Sequence, residues 1–372
     1  MRLRTLPLVL AAAAVFGCAD APTLGTRGAA PEGLQRTFAA AGTEFGVPPE
    51  LLAAIGWNET RWEMVHGGDE FPGVPAAHGI MALRGDRLAE GARLAGVSLD
   101  EARSDEAANV RAAAALLDSW AREAGIDRAS VGAWAPLVAR YGGMSNIDAQ
   151  ASYVHHGVYA SLAAGVQGTS GSGEPVVFRR MADRPRFPLP SPATPAVDYP
   201  SALWRASPNF NDRPTGSSGK VMMVIVHTCE GSYAGCWSWL ASTQSGVSAH
   251  YVVKEDGKEI TQLVREAKRA WHIAATYSCS LNGSAECALN GVQSNHFTIG
   301  VEHGGYASQS SFPTAQIDAS ARLVCDVARD RGVTRDNLHI VGHAKLQPAN
   351  RTDPGPNWPW SDYLARINRY CS

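Results

Sequence analysis

The chain has 372 residues, with 33 Lys and Arg against 35 Asp and Glu and a formal net charge of −2. Charge this close to balance removes the electrostatic case for a nucleic-acid partner or an acidic surface. The length exceeds what one hydrophobic core usually serves, so more than one domain is expected.

The chain opens with MRLR and then LPLVLAAAAVF, a positive start followed by an apolar run too short to span a bilayer, which is the pattern of a signal peptide. Cys18 follows the small Gly17, and the pair resembles a bacterial lipoprotein box, although Phe16 is bulkier than usual there. Residues 1–18 are read as a lipoprotein-type signal segment and 19–30 as a tether. A lipid on Cys18 would anchor the protein in a bacterial envelope, facing the periplasm; cleavage near residues 19–21 and secretion is the alternative.

Residues 31–165 read as mainly helical. LQRTFAAAGTEFGVPPELLAAIGWNETRW gives two amphipathic stretches broken at Gly46 and Pro48, and SDEAANVRAAAALLDSWAREAG gives a long Ala-rich helix with acidic residues at its start. Residues 166–198 are rich in Gly and Ser and then in Pro, a composition that predicts a linker, flexible first and semi-rigid later. Residues 199–372 read as α/β. A central mixed sheet is expected from 221–227, 248–254, 259–264 and 298–302, flanked by helices near 233–243, 314–331 and 361–370.

Cys18 aside, the six cysteines all lie in this last part, which in an exported chain reads as disulfides rather than a thiolate metal site. Six cysteines allow fifteen connectivities. Ready closure of local loops favours Cys229 with Cys236 and Cys279 with Cys287, and Cys325 with Cys371 would tie a C-terminal helix to an earlier one.

His227 ends a continuous apolar β-type run, His343 follows Ile340, Val341 and a Gly, and Asp353 precedes a Pro-Gly turn. Two imidazoles and a carboxylate with a fourth position open is the ligand count of a catalytic zinc. Taken singly, each of the three could equally be unrelated to a metal. No His-Glu-x-x-His helix is present, which counts against the common metalloprotease arrangement.

From about residue 200 to 369 the chain resembles the zinc-dependent N-acetylmuramoyl-L-alanine amidases of the type-2 family, relatives of the peptidoglycan recognition proteins. The resemblance is carried in order by VIVHTCEG, VSAHYVVKEDGKEITQLV, RAWHIA, FTIGVEHGGY, HIVGHAKLQP and RTDPGP. It implies Zn²⁺ held by His227, His343 and Asp353, with Glu302 as acid-base residue. Arg351, where many members have Lys, would stand beside the charge of the tetrahedral intermediate. Ala249 stands where some members have Tyr, which leaves Glu302 as the base. His250, Trp271 and His272 are assigned to substrate binding, His250 being also readable as a core histidine. The implied substrate is peptidoglycan or muropeptides, and a monomer is expected. The rivals are a non-catalytic peptidoglycan-binding protein and a zinc hydrolase of another amide.

The helical part resembles lytic transglycosylases and the wider lysozyme-like superfamily through FGVPPELLAAIGWNETRW, HGIMAL, ANVRAAAALL and VARYGGMSN. The resemblance makes Glu59 an acid-base residue acting on the glycan strand. Ala82 and Gly142 depart from it, standing where Gln and Asn are usual.

Overall fold

The computed structural model describes residues 33–67, 75–191 and 197–372. The signal segment, Cys18 and the tether lie outside the described residues. Among those described, no helix is long and apolar enough to cross a membrane.

The helical layer begins with α1 (Gly33–Phe45) and α2 (Pro49–Thr60). Pro49 suits the first helical turn, whose N–H groups have no intrahelical partner, and Arg61 closes α2 in the left-handed region at φ 58°. Leu51, Leu52, Ala53, Ala54 and Ile55 are all fully buried, so α2 is enclosed on every side. Around it lie α3 (Gly85–Ala95), α4 (Leu99–Ser104) and α5 (Glu106–Ala124), followed by α6 (Ala135–Gly142), α7 (Ile147–Ser152) and α8 (Tyr159–Ala164). A Ser98–Glu101 capping box starts α4, and the Asp105 side chain accepts from Ala108 N–H to start α5. Between α7 and α8 a π-helical segment, Tyr153–Val158, widens the turn.

Strands β1 (Gln167–Thr169) and β2 (Pro175–Val177) form an antiparallel hairpin within the stretch expected to be a linker. The segment after it is pinned to the helical layer. Val131 N–H donates to Asp183 Oδ2 at 3.0 Å, Arg186 N–H to Gly132 O at 2.9 Å, and Ser191 N–H to Asp148 Oδ1 at 2.8 Å. The expectation of a linker over 166–198, flexible first and semi-rigid later, is therefore corrected for its described residues, which pair as a hairpin and are held to the helical layer by tertiary hydrogen bonds.

The sheet region contains β3 (Leu203–Trp204), β4 (Phe210–Asp212), β5 (Met223–Val226), α9 (Tyr233–Leu240), β6 (Tyr251–Val253), β7 (Ile260–Gln262), β8 (Lys268–Ala270), β9 (Thr298–His303), α10 (Thr314–Arg331), β10 (Ile340–Gly342), α11 (His343–Leu346) and α12 (Trp360–Tyr370). Six strands form one mixed sheet in the order β10-β5-β9-β6-β7-β3. The run β10, β5, β9, β6 is parallel, β7 is antiparallel to β6, and β3 is parallel to β7. Every residue of β5 and β10 is buried, as expected of parallel strands covered on both faces. Helices α10 and α12 cover one face through Ile317, Val324, Tyr363 and Ile367. All three anticipated disulfides, Cys229–Cys236, Cys279–Cys287 and Cys325–Cys371, are present.

The two parts share one continuous core, which runs from Leu52 and Ile55 of α2 to Trp237 and Leu240 of α9 and on to Val252 in the sheet. Polar contacts fix the seam. The Ser232 hydroxyl donates to Asn58 O, Ser232 N–H to Glu59 O at 3.3 Å, and the Tyr306 hydroxyl to Thr60 O at 2.9 Å. Arg205 Nε donates to Ser152 Oγ at 2.7 Å from a fully buried position. Gly235 is required by this packing, because a Cβ there would lie 2.4 Å from the Glu59 carbonyl oxygen.

Candidate metal centre and its cavity

Three adjacent parallel strands deliver the centre. His227 directly follows β5, His343 directly follows β10, and Glu302 lies near the end of β9. The C-terminal ends of parallel strands are where open α/β sheets bind ligands, because the loops there diverge. Asp353 comes from the loop after α11, which passes so close that a Cβ on Gly342 would sit 2.7 Å from Pro354 Cδ. Ala344 N–H donates to Asp353 O at 2.9 Å and holds that loop against the histidine.

His227 Nδ1 lies 3.1 Å from His343 Nδ1 and 3.0 Å from Asp353 Oδ2, and His343 Nδ1 lies 3.2 Å from the same oxygen. Three donor atoms on buried residues thus face one point, a possible His-His-Asp metal site. Burial and the adjacent His343 push the His227 imidazole down to about 4, against the pull of Asp353. Burial works against ionisation of Asp353, but the adjoining imidazoles of His227 and His343 outweigh it and hold the carboxyl below its usual range. A neutral His227 beside an ionised Asp353 is the protonation pattern that binds a metal.

The outward nitrogens are also tied. His227 Nε2 lies 3.0 Å from His272 Nδ1, His272 Nε2 lies 3.0 Å from Thr298 Oγ1, and the Thr298 hydroxyl donates to Ser294 O at 2.8 Å. That terminal carbonyl sets the direction of the whole chain: His272 Nε2–H donates to Thr298, and His227 Nε2–H donates to His272. His227 Nδ1 is thereby left with its lone pair facing Asp353 and His343. His343 Nε2 lies 3.2 Å from Gln347 Oε1, one helical turn on. Partners of this kind fix tautomer and ring orientation. Sequence reasoning missed Thr298, Ser294 and Gln347; only Gln347, four residues after His343, had a usable signal in its spacing.

A cavity of about 700 Å³ opens above the centre. His227, His343, Asp353, Glu302 and Arg351 all line it, as do Trp271 and His272. Glu302 also lies beside the Cys229–Cys236 disulfide, whose sulfurs are within 4.8 Å of its carboxylate. His250 does not line the cavity, so its assignment to substrate binding is corrected. It is fully buried, accepts from Gly300 N–H at Nδ1 (3.0 Å), and places Nε2 3.1 Å from Arg213 Nη2. Burial, reinforced by that guanidinium, keeps it neutral well below the usual histidine range.

Glu59, at the end of α2, lines the same cavity. Its carboxylate accepts from the Tyr153 hydroxyl, which the π-helical segment supplies. Burial pushes the Glu59 carboxyl up, only partly offset by Tyr153 and by the charges of Arg84 and Arg87. Tyr153 was not singled out from the sequence, and nothing in its local pattern marks it.

Residues 217–356 match the protein family described as N-acetylmuramoyl-L-alanine amidase. The N-acetylmuramoyl-L-alanine amidase A of Achromobacter lyticus is 36% identical over 191 residues, covering 46% of this chain and 97% of that protein. The 1,6-anhydro-N-acetylmuramyl-L-alanine amidase AmpD of Escherichia coli K12 is 30% identical over 183 residues, covering 44% of this chain and 90% of its own length. Among solved structures, a complex of the E. coli amidase AmiD with anhydro-N-acetylmuramic acid-L-Ala-D-gamma-Glu-L-Lys aligns with a TM-score of 0.33 at 22% identity, over 42% of this chain and 65% of that one.

Proposed function

The chain belongs to the N-acetylmuramoyl-L-alanine amidase family, and on that premise we propose that it hydrolyses the amide between N-acetylmuramic acid and the L-alanine of the stem peptide, in peptidoglycan or its soluble fragments, using zinc. The observation that carries this reading is the meeting of two Nδ1 atoms and one carboxylate oxygen at 3.0 to 3.2 Å from one another. Ligands about 2.0–2.1 Å from zinc in a tetrahedron lie roughly 3.3 Å apart, so His227, His343 and Asp353 fit the ion with little movement and leave a fourth position open. Zinc bound there supplies Lewis acidity, polarising the scissile carbonyl and making a water acidic enough to ionise near neutral pH.

The residues of the chain do the rest. The Glu302 carboxylate takes the proton from the attacking water and returns it to the leaving amide nitrogen, a role typically contributing 10²–10⁴-fold. Arg351 places a permanent cation beside the carbonyl oxygen as negative charge builds on it. Trp271 and His272 border the substrate groove, and His272 also orients His227. Against the rival of a binder without catalysis, all three ligand positions and Glu302 are filled and line one cavity.

A second reading concerns the helical layer: Glu59 cuts or helps bind the glycan strand. Its support is the upward shift of the Glu59 carboxyl on burial, which suits a proton donor, and its place in the same cavity. Lipidation at Cys18 would keep a monomeric enzyme on the envelope, facing its polymer.

Digestion of purified sacculi, with mass spectrometry of the products, tests both readings. Wild type should release free stem peptides and His343→Ala should release none; stem peptides persisting in His343→Ala would sink the zinc amidase. Glycan-chain ends produced by wild type should disappear in Glu59→Gln, and unchanged ends would remove the cutting role.

A further inference from the structure

Glu302 and His303 are neighbours at the end of β9, and alternation along a strand sends their side chains to opposite faces. Glu302 lines the cavity, whereas His303 is fully buried on the face where Ile299 and Val301 pack against α10 and α12. Its Nδ1 lies 2.8 Å from the His227 carbonyl oxygen and its Nε2 lies 2.7 Å from Ser320 Oγ of α10, which lies 2.7 Å from the Tyr363 hydroxyl of α12. A carbonyl only accepts, so Nδ1 carries the hydrogen. Burial pushes this imidazole down to about 3, which keeps the ring neutral and leaves Nε2 as an acceptor. Ser320 therefore donates to His303 and accepts from Tyr363, and every bond in the chain has one direction. The Trp358 ring, with its centroid 4.6 Å away, closes over the imidazole.

We infer that His303 is a positioning residue for the metal centre, fixing through the His227 carbonyl the backbone from which that ligand projects and tying it to α10 and α12. The inference rests on the zinc reading for what His227 does. Two main-chain bonds bracket the same point: His227 N–H donates to Val301 O at 2.9 Å and Cys229 N–H to His303 O at 3.0 Å. His272 holds the outer nitrogen of the His227 ring, and His303 holds the root of the residue, so the ligand is fixed at both ends. The donor atoms of His227, His343 and Asp353 already stand 3.0 to 3.2 Å apart, and a shift at the root of His227 carries its Nδ1 out of that arrangement. A ligand held in place before the ion arrives loses less freedom on binding it. The helices α10 and α12, which contribute no ligand, thus act on metal affinity through one buried chain of hydrogen bonds.

Two amides of different reach separate positioning from packing. The amide N–H of Asn in His303→Asn takes the place of Nδ1 and can still donate to the His227 carbonyl, whereas that of Gln in His303→Gln extends towards Ser320. Zinc affinity of the full chain is read by competition titration with a chelating dye, and urea unfolding of the metal-free chain reports the packing. His303→Gln should weaken zinc binding about tenfold or more, and His303→Asn should stay within about threefold of wild type, although both lose stability alike. Equal weakening in the two variants, or none in His303→Gln, overturns the inference. If His303→Gln does not fold, Ser320→Ala decides, since it removes the donor that fixes the imidazole: weakening by about threefold or more supports the inference, and unchanged affinity removes it. If wild type binds no zinc, the zinc reading fails by itself, and ¹⁵N spectra of the metal-free chain decide. A His227 ring protonated at Nε2 in wild type and His303→Asn but mixed in His303→Gln supports positioning, and one tautomer in all three removes it.

Discussion

The metal centre and the Glu59 corner are built in opposite ways. His227 and His343 project from the ends of two neighbouring strands, and their outward nitrogens are tied through His272, Thr298 and Gln347. Glu59 hangs on one helix end and one tyrosine, and its carbonyl is pressed against a different part of the chain. The first site is a property of one sheet. The second exists only because two parts of the chain dock, so it should be the more fragile of the two.

Glu302→Gln should show the largest effect on the sheet side, lowering amide cleavage 10²–10⁴-fold while zinc content, measured by atomic absorption, stays at one per chain. His272→Phe comes next. It removes the acceptor for His227 Nε2–H and should weaken zinc binding about 10–100-fold in a competition titration; unchanged affinity would show that the relay does not orient the ligand. On the helical side, Gly235→Val drives a side chain into the Glu59 carbonyl. It should cost about 1–3 kcal/mol in urea unfolding, and no loss would mean that the seam gives way freely.

The smallest effect tests the acid itself. Burial raises the Glu59 carboxyl, so the folded chain holds that proton more tightly than the unfolded chain does. Stability is therefore lost as pH rises past the ordinary value of 4.5 and through the raised one. Glu59→Gln should stabilise the protein by about 1 kcal/mol at pH 7, and the gain should vanish at pH 4, as followed by thermal melts.

The same contrast governs what the sequence could reveal. His227, His343 and Asp353 were legible because each closes a short, strongly patterned segment, and the long helices α5, α10 and α12 declared themselves by periodicity. The short strands β3, β4 and β8 carry too little pattern to be read. His250 misled because a buried histidine bonded to backbone and Arg213 looks, in sequence, like one that faces a substrate. The docking of the helical layer was invisible for a physical reason. Composition reports how flexible residues 166–198 would be alone, whereas Asp183, Arg186 and Ser191 are held by partners far away in sequence. Tyr153 acquires meaning only through its contact with Glu59, 94 residues away in sequence.

The central claim is that His227, His343 and Asp353 together hold zinc. Anomalous diffraction at the zinc absorption edge, on crystals of the zinc-loaded protein, tests it most directly. The account predicts one strong peak about 2.0–2.2 Å from His227 Nδ1, His343 Nδ1 and an Asp353 carboxylate oxygen. A fully occupied peak elsewhere, or none at this point in protein that cleaves the amide, would contradict it.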